Sequence, residues 1–216
     1  MILQPLATWI LRSWASTGPV RLLDFGCGDL LLADLLPSDC TVDGFDSDER
    51  ARAAARHRIP ESRGRIFEHV GDIPPGTYDG VILASVLQYV RTKSQLLEVL
   101  IAAARSLHPR GQGIIATDVV IGRSRSPRDV GDLVGALVPQ IGLVGAATAL
   151  HATILRSPSR AAGCPLAEFE DAAVLAGLST TELPANLSPL RTRSSYLLRR
   201  EPVDDDGTTA ARGRAD

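Results

Sequence analysis

The chain has 216 residues, 44% of them apolar and 22% charged, with a formal net charge of −2. That size and apolar share give one globular domain with ample core, and the near-neutral balance excludes an electrostatic case for nucleic-acid binding. Cys27, Cys40 and Cys164 are too few and too scattered for a disulfide framework or a zinc site, and fit a reducing, cytoplasmic setting.

Residues 1–15 are apolar and carry Trp9 and Trp14, without the basic segment that opens a secretory signal. They are expected to form an amphipathic helix that packs on a sheet, with cover over a substrate mouth as the alternative. Residues 20–23 form an apolar run that meets Asp24, Gly26 and Gly28, which is the pattern of a strand ending in a tight turn. Gly26 and Gly28 have no Cβ, so the backbone there admits a ligand closely. Residues 30–36 follow as a helix-prone segment.

A second run, 40–45, ends at Asp46, 22 positions after Asp24. An acid there, at the tip of the next parallel strand, is placed to accept hydrogen bonds from both hydroxyls of a ribose. Ser47 and Asp48 cap a helix over 49–58, where the alanines favour it. A third run, 65–70, ends in Gly71, Asp72 and Ile73; a fourth, 78–85, leads into 86–90; a fifth, 113–117, ends at Asp118. Five strand candidates thus carry polar or acidic residues at their carboxyl ends, where open α/β sheets bind ligands.

From about Val20 to about Arg200 these residues resemble the class I S-adenosylmethionine-dependent methyltransferases. Asp24, Gly26 and Gly28, with Cys27 between the glycines, match the family's acid and alternating glycines, while Leu30 stands where a third glycine is expected. The resemblance implies Asp46 as the ribose acid with Ser47 beside it. It implies Gly71 and Asp72 at the adenine with Ile73 packed on the ring, and Ala84 and Ser85 beside the cofactor after the fourth strand. Leu107, Pro109 and Gly111 resemble the element before strand five, 168–178 the helix and turn before a last hairpin, and 195–200 the final strand. The implied fold is α/β: a doubly wound, mostly parallel seven-stranded sheet with an antiparallel last strand and a helical insertion after strand five. One domain would span 1–200, with an N-terminal helix within 1–19, a helical lid over 122–163 and a disordered tail at 201–216.

Within the insertion, 133–150 approaches the length of a membrane span, yet Pro139 and Gln140 sit at its centre. It lies inside a chain whose sheet needs strands from both sides of it. One or two buried or lid helices are therefore expected, with peripheral membrane contact as the alternative and a true span the least favoured reading. As a lid, its apolar face would line a pocket for a hydrophobic substrate, which favours a small, apolar acceptor over a sugar or tRNA.

Methyl transfer from a sulfonium is an in-line displacement, so alignment is the main demand on the protein. An oxygen nucleophile that is not already acidic needs a nearby base. The candidates are Asp118, His151 on the apolar insertion, and Gln88 or Tyr89 after the fourth strand, the Tyr89 ring being able to face the positive sulfur. Each has a plain structural alternative: a cap, a hydrogen-bonded core histidine, core packing. Val119 follows Asp118 without the acid–amide pair of magnesium-dependent relatives, and no other cluster has metal-ligand spacing, so metal-independent chemistry is expected.

The resulting expectation is S-adenosylmethionine-dependent methyl transfer to a small apolar acceptor, with O-methylation favoured. Three alternatives stay open: a natural-product cyclase or dehydratase on the same fold, a catalytically silent cofactor-binding subunit, and a nicotinamide-dependent oxidoreductase. The last fits poorly, because its third glycine would fall at Leu31 and Gly71 and Asp72 would have no role. Homodimer formation through the insertion is also left open.

Overall fold

The apolar runs become the strands β1 (Arg21–Phe25), β2 (Thr41–Phe45), β3 (Ile66–Phe67), β4 (Gly80–Leu83) and β5 (Gly113–Val120) of a parallel sheet. The computed structural model describes residues 3–15, 18–60, 63–120, 164–184, 187 and 193–201. The predicted lid, its 133–150 stretch and His151 lie outside the described residues, as does the predicted tail beyond Glu201.

The sheet runs β3-β2-β1-β4-β5-β8-β7, where β7 is Leu178–Glu182 and β8 is Arg193–Arg200. β8 is antiparallel to both neighbours, as the last strand was expected to be. A two-residue strand, β6 (Cys164–Pro165), adds to the end of β5 and makes eight among the described residues, one more than the sequence predicts. Two-residue strands carry no periodic pattern from which to read them.

Parallel strands buried on both faces are built from near-continuous apolar runs, and all residues of β4 and β5 are buried. Alternate residues supply two cores. Leu23, Phe25, Val81, Leu83 and Ile114 face α4 (Lys93–Ser106) and α5 (Leu166–Leu175), through Leu96, Leu100, Phe169 and Ala173. Leu22, Ile82, Ile115 and Leu197 share the other core with Leu6 and Ile10 of α1 (Leu3–Ser13), Leu32 of α2 (Leu31–Asp34) and Ala55 of α3 (Glu49–Arg58). The amino-terminal helix therefore packs beneath the sheet, and Trp14 lies so close to Gly80 that a Cβ there would strike its ring.

Asp48 caps α3 by accepting the Arg50 N–H at 2.9 Å, as its sequence position predicts. Several elements are shorter or longer than expected: β4 keeps only Gly80–Leu83 of 78–85, and β8 starts at Arg193, before the expected 195. β3 keeps only two of its six predicted residues, because it pairs with β2 alone and the chain turns into a 3-10 turn at Val70–Asp72. α2 begins after Leu30 and closes within four residues, just before Pro37. β5 runs on to Val120 through an irregularity between Ala116 and Val119, which carries Thr117 and Asp118.

Candidate active site

The turn leaving β1 has alternating left-handed residues, with φ of 85° at Gly26, 55° at Gly28 and 58° at Leu30. The leucine takes the conformation that glycine adopts freely, at a cost of about 1–2 kcal/mol for an L-residue. Its side chain is fully buried, which offsets that cost by roughly 1.5–3 kcal/mol. Room for it comes from Gly44 of β2, where a Cβ would lie 2.9 Å from the Cys27 sulfur and 3.1 Å from Leu30 Cδ1.

Asp46 stands at the tip of β2, facing this turn. One carboxylate oxygen accepts the Gly28 N–H and the other the Asp48 N–H, both at 2.9 Å. Arg52 donates to the Asp46 carbonyl at 2.8 Å. Beneath the turn, Asp24 is buried, and burial, with the Asp46 charge as a smaller cause, pushes its carboxyl up to about 7. Burial likewise pushes the Cys27 thiol far up, with Asp24 and Asp46 adding to it, so Cys27 is a packed neutral group.

Two more residues other than glycine have positive φ, Ser85 at 58° and Asp118 at 64°. They end β4 and interrupt β5, on adjacent strands, and the Ser85 hydroxyl donates to Asp118 Oδ2 at 3.0 Å. Thr117 donates to the same oxygen at 3.1 Å and accepts the Ser85 N–H at 3.1 Å, while Arg193 donates to the Asp118 carbonyl at 3.1 Å. Left-handed residues other than glycine are uncommon and gather at functional sites. Among the described residues, Leu30 and Ser85 lie in the turns that follow β1 and β4, and Asp118 lies at the irregularity within β5.

A cavity of about 880 Å³ opens at these strand ends. Of the residues singled out from the sequence, Gly26, Asp46, Ser47, Ser85 and Tyr89 line it, and Tyr89 is exposed. Gly28 and Gly71 border open space, where an added Cβ would meet nothing within 4 Å. Asp72 is exposed on the 3-10 turn and accepts the His69 N–H at 3.2 Å. Ile73, expected on the adenine ring, points instead into the core with 1% exposure, because the turn rotates it inward and leaves Val70 on the cavity wall. Asp24, Cys27, Ala84 and Asp118 stand behind the wall rather than on it.

The sequence reading missed Phe25 and Phe45, whose rings pack 5.0 Å apart on the wall, together with Val86, Val90 and Val99. It also missed Arg91, just before α4, and Gln95 and Glu98 in the first turns of that helix. The signal for the aromatics was present: each is the last residue of its strand.

The residues present fit S-adenosylmethionine. Each Asp46 oxygen has one of its two lone-pair sites left for a ribose hydroxyl, Gly28 leaves open space above the turn, and the wall beyond is aromatic and aliphatic.

Residues 23–112 match the family described as "Methyltransferase domain". No protein of curated function matches the sequence. Among solved structures, a possible exported protein from Bordetella parapertussis is similar at TM-score 0.63 and 14% identity, over 92% of this chain and 66% of that one. Magnesium protoporphyrin IX methyltransferase from Synechocystis PCC 6803, solved with bound SAH, is similar at TM-score 0.58 and 16% identity, over 92% and 81%. A SAM-dependent methyltransferase from Leishmania major gives 0.57 and 13%, over 91% and 72%. This chain thus spans just under two thirds of the length of the Bordetella protein. The protein has the class I methyltransferase fold, with the matched domain covering β1 through the turn before β5.

Proposed function

We propose that the cavity binds S-adenosylmethionine and that the protein methylates a small, largely apolar acceptor, at oxygen and without a metal ion. The observation that carries this reading is the placement of Asp46, with spare lone pairs, against the glycine turn where it opens above Gly28. Bound there, the cofactor supplies a methyl group on a positively charged sulfur.

The chain's own residues have the following parts. Gly28 lets the backbone approach the ligand and Asp46 fixes the ribose, while Gly26, expected to do the same as Gly28, instead makes room for the Val86 side chain, which a Cβ there would meet at 2.5 Å. Val70, with Gly71 and Asp72 on the same turn, borders the adenine. Ser85 and the backbone at Ala84 orient the reacting end. Tyr89 places its ring where it attracts a cation, and the Phe25–Phe45 wall keeps water out and strengthens that attraction. Asp118, behind the wall, takes the proton through Ser85: the Ser85 hydroxyl accepts the proton that an oxygen acceptor gives up as it passes its own to Asp118 Oδ2. Leu30 retains the left-handed turn, which favours a working site over a silent subunit.

The test is product analysis. Protein incubated with isotopically methyl-labelled S-adenosylmethionine and a panel of phenols, aromatic carboxylic acids and amines should give S-adenosylhomocysteine together with a labelled O-methyl product. A rearranged, unlabelled product would assign the chain to cyclase-type chemistry. Labelled N-methyl product alone would overturn the oxygen preference.

A further inference from the structure

The turn that meets the cofactor is gripped from both sides by a single unit, β2 and the helix α3 that follows it. Asp46, before α3, holds the Gly28 N–H. Arg58, the last residue of α3, holds the other end. Its Nε donates to the Asp29 carbonyl at 2.8 Å, one terminal nitrogen to the Asp29 carboxylate at 2.9 Å, and the other to the Asp34 carboxylate at 2.8 Å. Leu30, left-handed and fully buried, lies between those two acids. A glycine would rest in that conformation without help, whereas a leucine is biased away from it.

We infer that Arg58 is a positioning residue for cofactor binding: its guanidinium clamps Asp29 and Asp34 across Leu30 and so holds the glycine turn in its binding geometry. The inference rests on the reading that this turn carries S-adenosylmethionine. The planar fork of an arginine spans three acceptors at fixed angles, which a lysine ammonium cannot do. Because the side chain is about one-third exposed, its ion pairs add little to global stability. Their effect falls on the turn, where a small misplacement is enough to weaken binding.

The experiment is calorimetric titration with S-adenosylhomocysteine, paired with thermal melts. Arg58→Ala should raise Kd by about tenfold while Tm stays near the wild-type value, and Arg58→Lys should not restore affinity. Millimolar guanidinium chloride should recover binding in Arg58→Ala by refilling the clamp, and leave the wild type unchanged. Asp34→Ala removes one of the three bonds and should give a smaller loss, which keeps the test open if Arg58→Ala folds poorly. Unchanged affinity in both variants, with Asp46→Ala losing binding, overturns the clamp and leaves the cofactor reading standing. No binding by the wild type overturns both.

Discussion

The Asp46 carboxylate accepts the Gly28 N–H at 2.9 Å, so the tip of β2 fixes the turn that leaves β1. The acid proposed to meet a ribose is also the one that shapes the glycine turn beside it. Binding surface and turn geometry are coupled through one side chain.

That coupling gives Leu30 an unusual mutational signature. Leu30→Ala loses a fully buried side chain and keeps the left-handed strain, at a cost of about 2–5 kcal/mol. Leu30→Gly loses the same side chain but relieves about 1–2 kcal/mol of strain. Urea denaturation should therefore rank the glycine variant above the alanine variant, the reverse of the usual order. An alanine variant that is the more stable of the two would contradict the strained-turn account.

Asp24 makes stability depend on pH. Its carboxyl is raised to about 7 by burial and then by Asp46, so the native state holds this proton more tightly than the unfolded chain does. The contribution is full below about pH 4 and is lost as pH rises towards about 7. At pH 8, Asp24→Asn should be more stable than wild type by an amount on the order of a few kcal/mol, with the gap closing towards pH 4. Denaturant midpoints across that range check it, and a gap that does not change with pH counts against it.

A buried network away from the cavity should separate folding from binding. Asp43, 1% exposed, pairs with Arg21 at 2.9 Å, accepts the Tyr78 hydroxyl at 2.8 Å and takes the Arg65 N–H at 2.8 Å. The Arg21 guanidinium also lies 5.3 Å from the Tyr78 ring. Asp43→Ala leaves the buried Tyr78 hydroxyl and the Arg65 N–H without this partner, while Arg21, 40% exposed, turns to solvent, and should cost about 2–4 kcal/mol, measured by denaturation. The affinity of the folded fraction for S-adenosylhomocysteine should be unchanged; a large loss of affinity would tie the network to the site.

Much of the sheet was legible because parallel strands are buried on both faces, and β1, β2, β4 and β5 show as apolar runs ended by turn residues. β3 was read too long, since an edge strand is limited by what its one neighbour pairs with, which the sequence does not display. Asp46 was legible from its spacing to Asp24. The roles of Ile73 and Val70 were not, because a 3-10 turn decides which of the two faces the cavity. Phe45 ends an apolar run and Phe25 follows one across Asp24, yet only the packing of α4 shows which face of the sheet the cavity occupies. The left-handed backbone at Leu30, Ser85 and Asp118 is set by neighbouring strands and leaves no mark on residue type.

The central claim is that Asp46 and the glycine turn form the cofactor site, and calorimetric titration with S-adenosylhomocysteine tests it most directly. Wild type should bind in the micromolar range. Asp46→Ala, still folded by its thermal transition, should lose about 3 kcal/mol from two charge-assisted hydrogen bonds, or about a hundredfold in Kd. Equal affinity in the two proteins, or no binding by folded wild type, would contradict the account.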